Sequence, residues 1–371
     1  MSRAVFANPR ARFVRATVSL VAGWSVLALV AGVLATPNTT SREVIYLVFV
    51  PFGLVMGVAS AWFELVALPR DGAGLSPGPV IALRTLFYSG IAAAAAVIVS
   101  ILGNAVVEQR SLGAVVRDAD FWAFFQGRAF VFSLAGFVVA AFLTNFVRQI
   151  RLMLGPGTLG ALLVGRYRLP VPEQRAFMFL DLTGSTGLAQ RLGPERFNAF
   201  KNDYFRDVVE PILATGGQIY QYVGDEVVVT WKVREGALAR SPVEMFLRLD
   251  EVVHQRTPYY EAQYGEVPLY KAGLHVGDVV TAEIGELKKD IVYSGDTVNV
   301  AARIEGQCHA LGARLLASRE ALDLAPLPEG VDPEEVGAIG LRGREGTVKL
   351  FRVVPDPLRV QTPDLLAPTT S

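Results

Sequence analysis

A chain of 371 residues is long enough for two ordinary domains, which excludes a small disulfide-held scaffold. With 51% hydrophobic and 19% charged residues it is too apolar for a disordered chain and more apolar than most soluble ones. The formal charge of +0 excludes nucleic-acid binding by overall basicity, but residues 1–172 hold 14 Arg, no Lys and 6 acidic residues, and the remainder carries the opposite surplus.

Four apolar stretches occupy the first half: Val14–Ala35, Val44–Leu68, Val80–Leu102 and Ala123–Val147, each 22 to 25 residues long. Each is long enough for a helix to cross a hydrocarbon core about 30 Å thick. The first follows four arginines, as a signal peptide would, but it is long for that and three more spans follow. Arginines flank the first span and follow the fourth (Arg148, Arg151, Arg166, Arg168). The positive-inside rule then places both termini in the cytoplasm and makes residues 1–147 a multi-pass domain of the cell (inner) membrane. Glu64 and Arg128 fall inside the spans; both lie near span ends and are read as reaching to the lipid headgroups rather than as a ligand or ion site.

Residues 148–172 form a coupler. Leu152, Met153, Leu159, Leu162 and Leu163 make an apolar stripe broken at Gly155-Pro156-Gly157, which predicts two short helices about a hinge. Such a stripe serves either as an interfacial anchor or as a dimerising coupler.

From Ala176 strands and helices alternate. "AFMFLD" reads as a buried strand ending at Asp181, followed by an "LTGST" turn in which Ser185 or Thr186 caps what comes next. A helix opens at Pro194. "GQIYQYVGDEVVVTW" reads as a hairpin with Asp225 at its tip. A helix over Ser241–Gln263 follows, then strands at Leu269–Val276, Val279–Ile284 and near Ile291–Tyr293, then a helix starting at Asp296. A last hairpin lies in "AIGLRGREGTVKLFRVV", and residues 355–371, with four prolines, form a loose tail.

The order β-α-β-β-α-β predicts an α+β ferredoxin-like sandwich with its helices on one face of an antiparallel sheet, over 173–354. There Asp181 and Asp225 converge at one sheet edge. Two carboxylates beside the free N–H groups of Gly184, Ser185 and Thr186 suit divalent cations carrying a polyphosphate, whereas either Asp alone reads as a turn residue or helix cap. The lone Cys308 makes no internal disulfide, and His254, His275 and His309 show neither a zinc motif nor a Ser/His/Asp arrangement.

"FLDLTGST", "YVGDE" and "GDTVNVAARIE", in that order, resemble the catalytic domain of class III nucleotidyl cyclases, and the four-span front end with "GRYRLP" is similar to bacterial membrane-bound adenylate cyclases. The resemblance implies conversion of ATP to 3′,5′-cyclic AMP and pyrophosphate with two Mg²⁺ or Mn²⁺ ions per active site. It implies Asp181 and Asp225 as metal ligands, with the Leu182 carbonyl a further one. Asn299 and Arg303 would orient the ribose and stabilise charge on the α-phosphate, and Arg342 would hold the terminal phosphates. It further implies a homodimer whose two sites each take the aspartates from one chain and the Asn/Arg pair from the other. Base recognition departs from the family pattern: Gln221 and Val292 stand where ATP-specific members carry Lys and Asp or Thr, and Asp290 is the candidate substitute for Val292. ATP is the favoured nucleotide. The alternatives are a guanylate cyclase, a catalytically weak receptor whose cyclase-like domain only binds nucleotide, and a transporter or channel with an attached regulatory domain. The expected partners are ATP, a second copy of the chain and a lipid bilayer.

Overall fold

The computed structural model describes residues 17–18, 21–26, 42–64, 76–155, 158–234, 236–239, 241–340 and 347–355. The chain divides into two compact units, Met1–Met153 and Leu154–Ser371.

In the first unit the described helices are α1 (Arg42–Trp62), α2 (Pro77–Val107), the short α3 (Leu112–Val116) and α4 (Ala119–Gln126), and α5 (Arg128–Leu154). Residues 17–18 and 21–26 are also helical; the rest of the Val14–Ala35 stretch lies outside the described residues. Two helices, Pro77–Val106 and Arg128–Leu154, are long and apolar enough to cross a membrane, and Val50–Trp62 is a shorter apolar helix. The helix α2 outruns the predicted third span at both ends, because Pro77 fits the first helical turn, where its missing N–H costs nothing. The predicted fourth span is interrupted: Gly127 is extended (ψ 145°), so Ala123–Gln126 belong to α4 and the long helix begins at Arg128. That helix leaves most of its apolar side chains exposed, among them Phe132, Val139 and Leu143.

Small residues let these helices meet backbone to backbone. A Cβ at Gly53 would lie 2.6 Å from the Ser25 Cα, and one at Gly57 would lie 2.4 Å from the Val21 Cα. Met56, Ala92 and Ala95 form a small core with Trp24 and Phe137 packed on it. Arg128 is exposed at the start of α5, as expected for a residue reaching outward. Glu64 is not. It is buried on Arg84, Tyr88 and Arg148, so the reading of Glu64 as headgroup-seeking is corrected. Nothing in the local sequence signals partners 20 to 84 residues away.

The second unit opens with α6 (Thr158–Val164) after a break at Gly155, whose φ is +84°. Its sheet comprises β1 (Val171–Leu182), β2 (Gln218–Val223), β3 (Glu226–Lys232), β4 (Tyr270–Ile284), β5 (Asp290–Ser294), β6 (Leu315–Ser318), β7 (Val331–Gly340) and β8 (Thr347–Pro355). The spatial order is β2-β3-β1-β4-β6-β8-β7, with β5 paired to β4. Strands β1 to β4 pair antiparallel throughout. The helices are α7 (Ser185–Leu192), α8 (Pro194–Ala214), α9 (Pro242–Tyr264), α10 (Asp296–Gly306) and α11 (Arg319–Leu324).

Strand alternation divides β1 between two cores. Ala176, Met178, Leu180 and Leu182 face a core filled by Phe200, Tyr204, Val208 and Ile212 of α8 and by Met245, Leu249 and Val253 of α9. Phe177 and Phe179 face the other way, onto Ala301 of α10. The helices therefore cover both faces, which corrects the expected one-sided sandwich. Gly277-Asp278 was read as a break between two strands, yet β4 runs through it as a single strand of 15 residues. Gly277 is there for proximity: a Cβ would lie 2.6 Å from Thr297 Oγ1, which donates to the Asp278 carbonyl at 2.7 Å.

Gly273 brings α10 closer still. A Cβ there would lie 2.2 Å from the backbone nitrogen of Glu305. Gly273→Ala is expected to destabilise the unit by about 1–3 kcal/mol, and Gly277→Ala by less, because a side chain can move aside and a helix backbone cannot. Thermal unfolding of the two variants checks the order; equal losses would show that α10 is not pinned at Gly273.

Near the start of β1, Glu173 is buried with four partners: Tyr167, Arg175, Lys232 and Thr281. The Tyr167 carbonyl also accepts from Glu283 N–H at 2.8 Å. The "GRYRLP" segment is thereby sewn to β1, β3 and β4.

Candidate active site

Asp181 lies opposite Glu226 of β3 on one side and Lys271 of β4 on the other. Alternation puts all three on the α10 face of the sheet, in one row with Val223, which pairs with Glu226. Asp225 stands in the two-residue turn joining β2 to β3. Gly224 takes φ +65° at its first position, as a tight hairpin turn needs. Lys271 reaches Asp181 at 3.6 Å and Glu305 of α10 at 2.6 Å. The structure thus brings the two predicted aspartates to one end of the sheet, and adds Glu226, Glu305 and Lys271.

One ammonium against four carboxylates leaves the row short of positive charge. Burial, with Asp225 and Glu305 nearby, pushes the Asp181 carboxyl up to about 6. Burial and the charges of Glu305, Asp181 and Asp225 push Glu226 up to about 7. Such mutual frustration is the chemistry of a divalent-cation site. Among the described residues no three His, Cys, Asp or Glu side chains are grouped to hold a metal. The groups there that could hold a cation include the carboxylates of Asp181 and Asp225 and a backbone carbonyl such as that of Leu182.

Beside Asp181 the chain turns into α7. The residue before this helix is Gly184, with φ +69°, and Ser185 is its first residue. No side chain caps it, which corrects the expectation that Ser185 or Thr186 would. The first-turn N–H groups of Ser185 and Thr186 are left without intrahelical acceptors, available to an anion.

Asn299 and Arg303 project from α10 one turn apart, while Thr297, Val300, Ala301, Ile304 and Glu305 form its buried side. Asn299 is exposed and Arg303 half-buried. Neither makes a side-chain hydrogen bond or ion pair among the described residues, and neither is brought into contact with Asp181 or Asp225. Glu305, two residues beyond Arg303, pairs with Lys271.

The candidate base-reading residues are placed as follows. A bulge between Ile219 and Gln221 sets two residues of β2 against one of β3, so Gln221 pairs with Val228 on the same face as Asp181. Val292 is half-buried in β5 opposite Ala282. Asp290 is exposed, accepts from Ile291 N–H at 3.0 Å and lies 3.5 Å from Lys288. Arg342 lies outside the described residues.

Sequence reading missed Lys271, Glu226 and Glu305. The signal for Lys271 was a charged residue inside the apolar run "LYKAGLHV", where a strand tolerates charge only if it is paired.

Residues 171–354 match the family described as "Adenylate and Guanylate cyclase catalytic domain". The chain is 40% identical over 203 residues to "Adenylate cyclase 2" of Rhizobium meliloti (strain 1021), covering 54% of this chain and 55% of that protein. It is 26% identical over 188 residues to "Adenylate cyclase" of Anabaena cylindrica, covering 49% of this chain and 37% of that one. The chain therefore spans about half the length of the first relative and less of the second. A solved "Structure of a bacterial light-regulated adenylyl cyclase" shares the fold, with a TM-score of 0.51 at 20% identity over 62% of this chain and 67% of that chain. On its matched residues and its fold, segment 171–354 is a class III nucleotidyl cyclase catalytic domain.

Proposed function

We propose that the chain is a membrane-bound adenylate cyclase converting ATP to 3′,5′-cyclic AMP and pyrophosphate in a homodimer with shared sites. The observation that carries it is the convergence of Asp181 and Asp225 at one sheet end, beside the uncapped start of α7. The 40% identity to a protein named adenylate cyclase supports ATP as the nucleotide.

In this reading Asp181, Asp225 and the Leu182 carbonyl hold two Mg²⁺ or Mn²⁺ ions, which supply Lewis-acid neutralisation of the triphosphate. The amides of Gly184, Ser185 and Thr186 and the side chain of Arg342 bind phosphate oxygens. Asn299 and Arg303, unengaged in their own subunit, orient the ribose in the other subunit's site and offset charge at the α-phosphorus. There a bond forms from the ribose 3′-oxygen to the α-phosphorus, the α–β bridging bond breaks, and pyrophosphate leaves. The Gln221 amide both donates and accepts, so it can meet the N1 acceptor and N6 donor of adenine; Val292 contributes shape only.

The organisation proposed is a four-span membrane domain (1–147), a coupler (148–172), the catalytic domain (173–354) and a tail (355–371), with the catalytic domain cytoplasmic. The two apolar helices Pro77–Val106 and Arg128–Leu154, and the exposed apolar side chains of α5, support it.

The test is turnover by the full chain with ATP and with GTP, identifying the cyclic product. Cyclic AMP is expected; cyclic GTP-derived product alone would make the chain a guanylate cyclase, and neither product would leave only a nucleotide-binding domain. Gln221→Glu, which replaces a donor-acceptor by an acceptor, is expected to shift the ATP:GTP ratio of kcat/KM toward GTP by roughly tenfold. An unchanged ratio would remove Gln221 from base recognition.

A further inference from the structure

The helical unit contains a polar layer that catalysis does not use. The Glu64 carboxylate, just past the end of α1, is saturated. Oε1 accepts from the Tyr88 hydroxyl and from Arg148, each at 2.8 Å; Oε2 accepts from Arg84 at 3.2 Å and Arg148 at 2.9 Å. Side-chain exposures of 10% for Glu64 and 11% for Arg84 put this pair in the interior. Two guanidiniums on one carboxylate leave one positive charge over. Arg148 is 47% exposed, whereas Arg84 is 11% exposed with its Nε buried and without a partner, so the unmet charge in the interior is that of Arg84.

Around this cluster lie hydroxyls without partners. Nine buried side-chain polar atoms lack a hydrogen bond among the described residues, and five belong to this layer: Arg84 Nε and the hydroxyls of Thr17, Ser60, Thr85 and Ser89. Ser60 precedes Glu64 by one turn of α1, and Thr85 and Ser89 flank Arg84 and Tyr88 on α2. Val21 sits at Gly57 and Ser25 at Gly53, so that helix runs antiparallel to α1 and brings Thr17 level with Ala61. Ser60 is 1% exposed and Thr85 7%. Helical hydroxyls normally donate to the carbonyl four residues back, as the exposed Ser133 and Thr144 do at 2.8 Å. The buried ones here do not, and an unmet buried polar group is costly.

We propose that this layer is a binding site for a phosphate-class oxyanion, held by Arg84 and the hydroxyls of Ser60, Thr85 and Ser89. The unmet guanidinium N–H requires an acceptor, and the surplus charge requires an anion, which water does not supply. Four donors from two helices suit a tetrahedral phosphate better than a carboxylate, whose acceptor positions all lie in one plane. The phosphate belongs either to an anionic lipid headgroup entering between the helices or to a free phosphate compound. The site lies wholly within the helical unit, so the inference stands or falls apart from the cyclase assignment.

The test uses the full chain in lipid-free detergent, with thermal unfolding followed against added phosphatidylglycerol and, separately, inorganic phosphate. A ligand-dependent rise in melting temperature is expected from at least one, and which one assigns the source. Arg84→Gln should abolish the shift. If that variant fails to fold, the isosteric Thr85→Val carries the test: without ligand it should melt at or above the wild type, since it deletes an unmet hydroxyl, yet bind roughly tenfold more weakly. No shift with either compound overturns the site, as does a wild-type shift in Thr85→Val, which would place the binding elsewhere, the catalytic unit included.

Discussion

Asp181→Asn is expected to lower cyclic AMP formation by about a thousandfold while leaving the protein folded and at least as stable as the wild type. The two effects have opposite signs for one reason. Asp181 sits half-buried in a row with Glu226, with Asp225 and Glu305 nearby; burial first, and then that surplus of negative charge, holds its carboxyl up to about 6. The neutral amide keeps the shape and removes a share of the repulsion, so the fold loses nothing it needs. In the proposed site, catalysis loses an anionic metal ligand. Asp225→Asn should behave alike, since it occupies the turn without a side-chain hydrogen bond to lose. Cyclic nucleotide assay and thermal unfolding in the presence of a chelator provide the two readouts. Full activity in either variant would sink the metal-site reading. A large drop in melting temperature would show instead that these carboxylates are structural.

The sequence carried this site because each aspartate follows a short apolar run, Asp181 one residue before the end of β1 and Asp225 in the turn between β2 and β3. Asp181 follows "AFMFL" and Asp225 follows "YVG", so both could be placed without knowing the sheet order. The frame around them depends on contacts distant in sequence. Lys271 and Glu305 meet Asp181 only once β4 lies against β1 and α10 lies on both. Gln221 faces the site because it alternates with Val223, and the place of both in the row depends on the pairing of β2 with β3. Gly277-Asp278 carried a turn-like signature and proved to be a point of contact for Thr297, a distinction that needs the helix to be present. The pattern also failed at α7, where eight residues after Gly184 fold into a helix without a capping side chain to mark its start. Glu64 was legible as a charge inside an apolar stretch, but its partners on α2 and α5 were not.

Arg303 supplies the second large effect. Arg303→Ala should reduce turnover by roughly a hundredfold to a thousandfold, with little change in stability, since the side chain forms no ion pair among the described residues. The close seating of α10 on Gly273 fixes where that side chain points: the buried side of the helix is held to the sheet, so Asn299 and Arg303 are turned outward together. In the proposed homodimer a side chain held there completes a site when a second copy presents its Asp181 and Asp225 to it. Co-expression of differently tagged Asp181→Ala and Arg303→Ala chains distinguishes the shared arrangement from a self-contained one. In the shared arrangement each heterodimer keeps one site with both functional halves, and random pairing restores about a quarter of wild-type activity. In a self-contained arrangement every chain carries a lesion in its own site, and the isolated heterodimer stays inactive. Recovery therefore establishes that catalysis requires two copies, and its absence in a correctly assembled heterodimer removes the shared site whatever the single variants do.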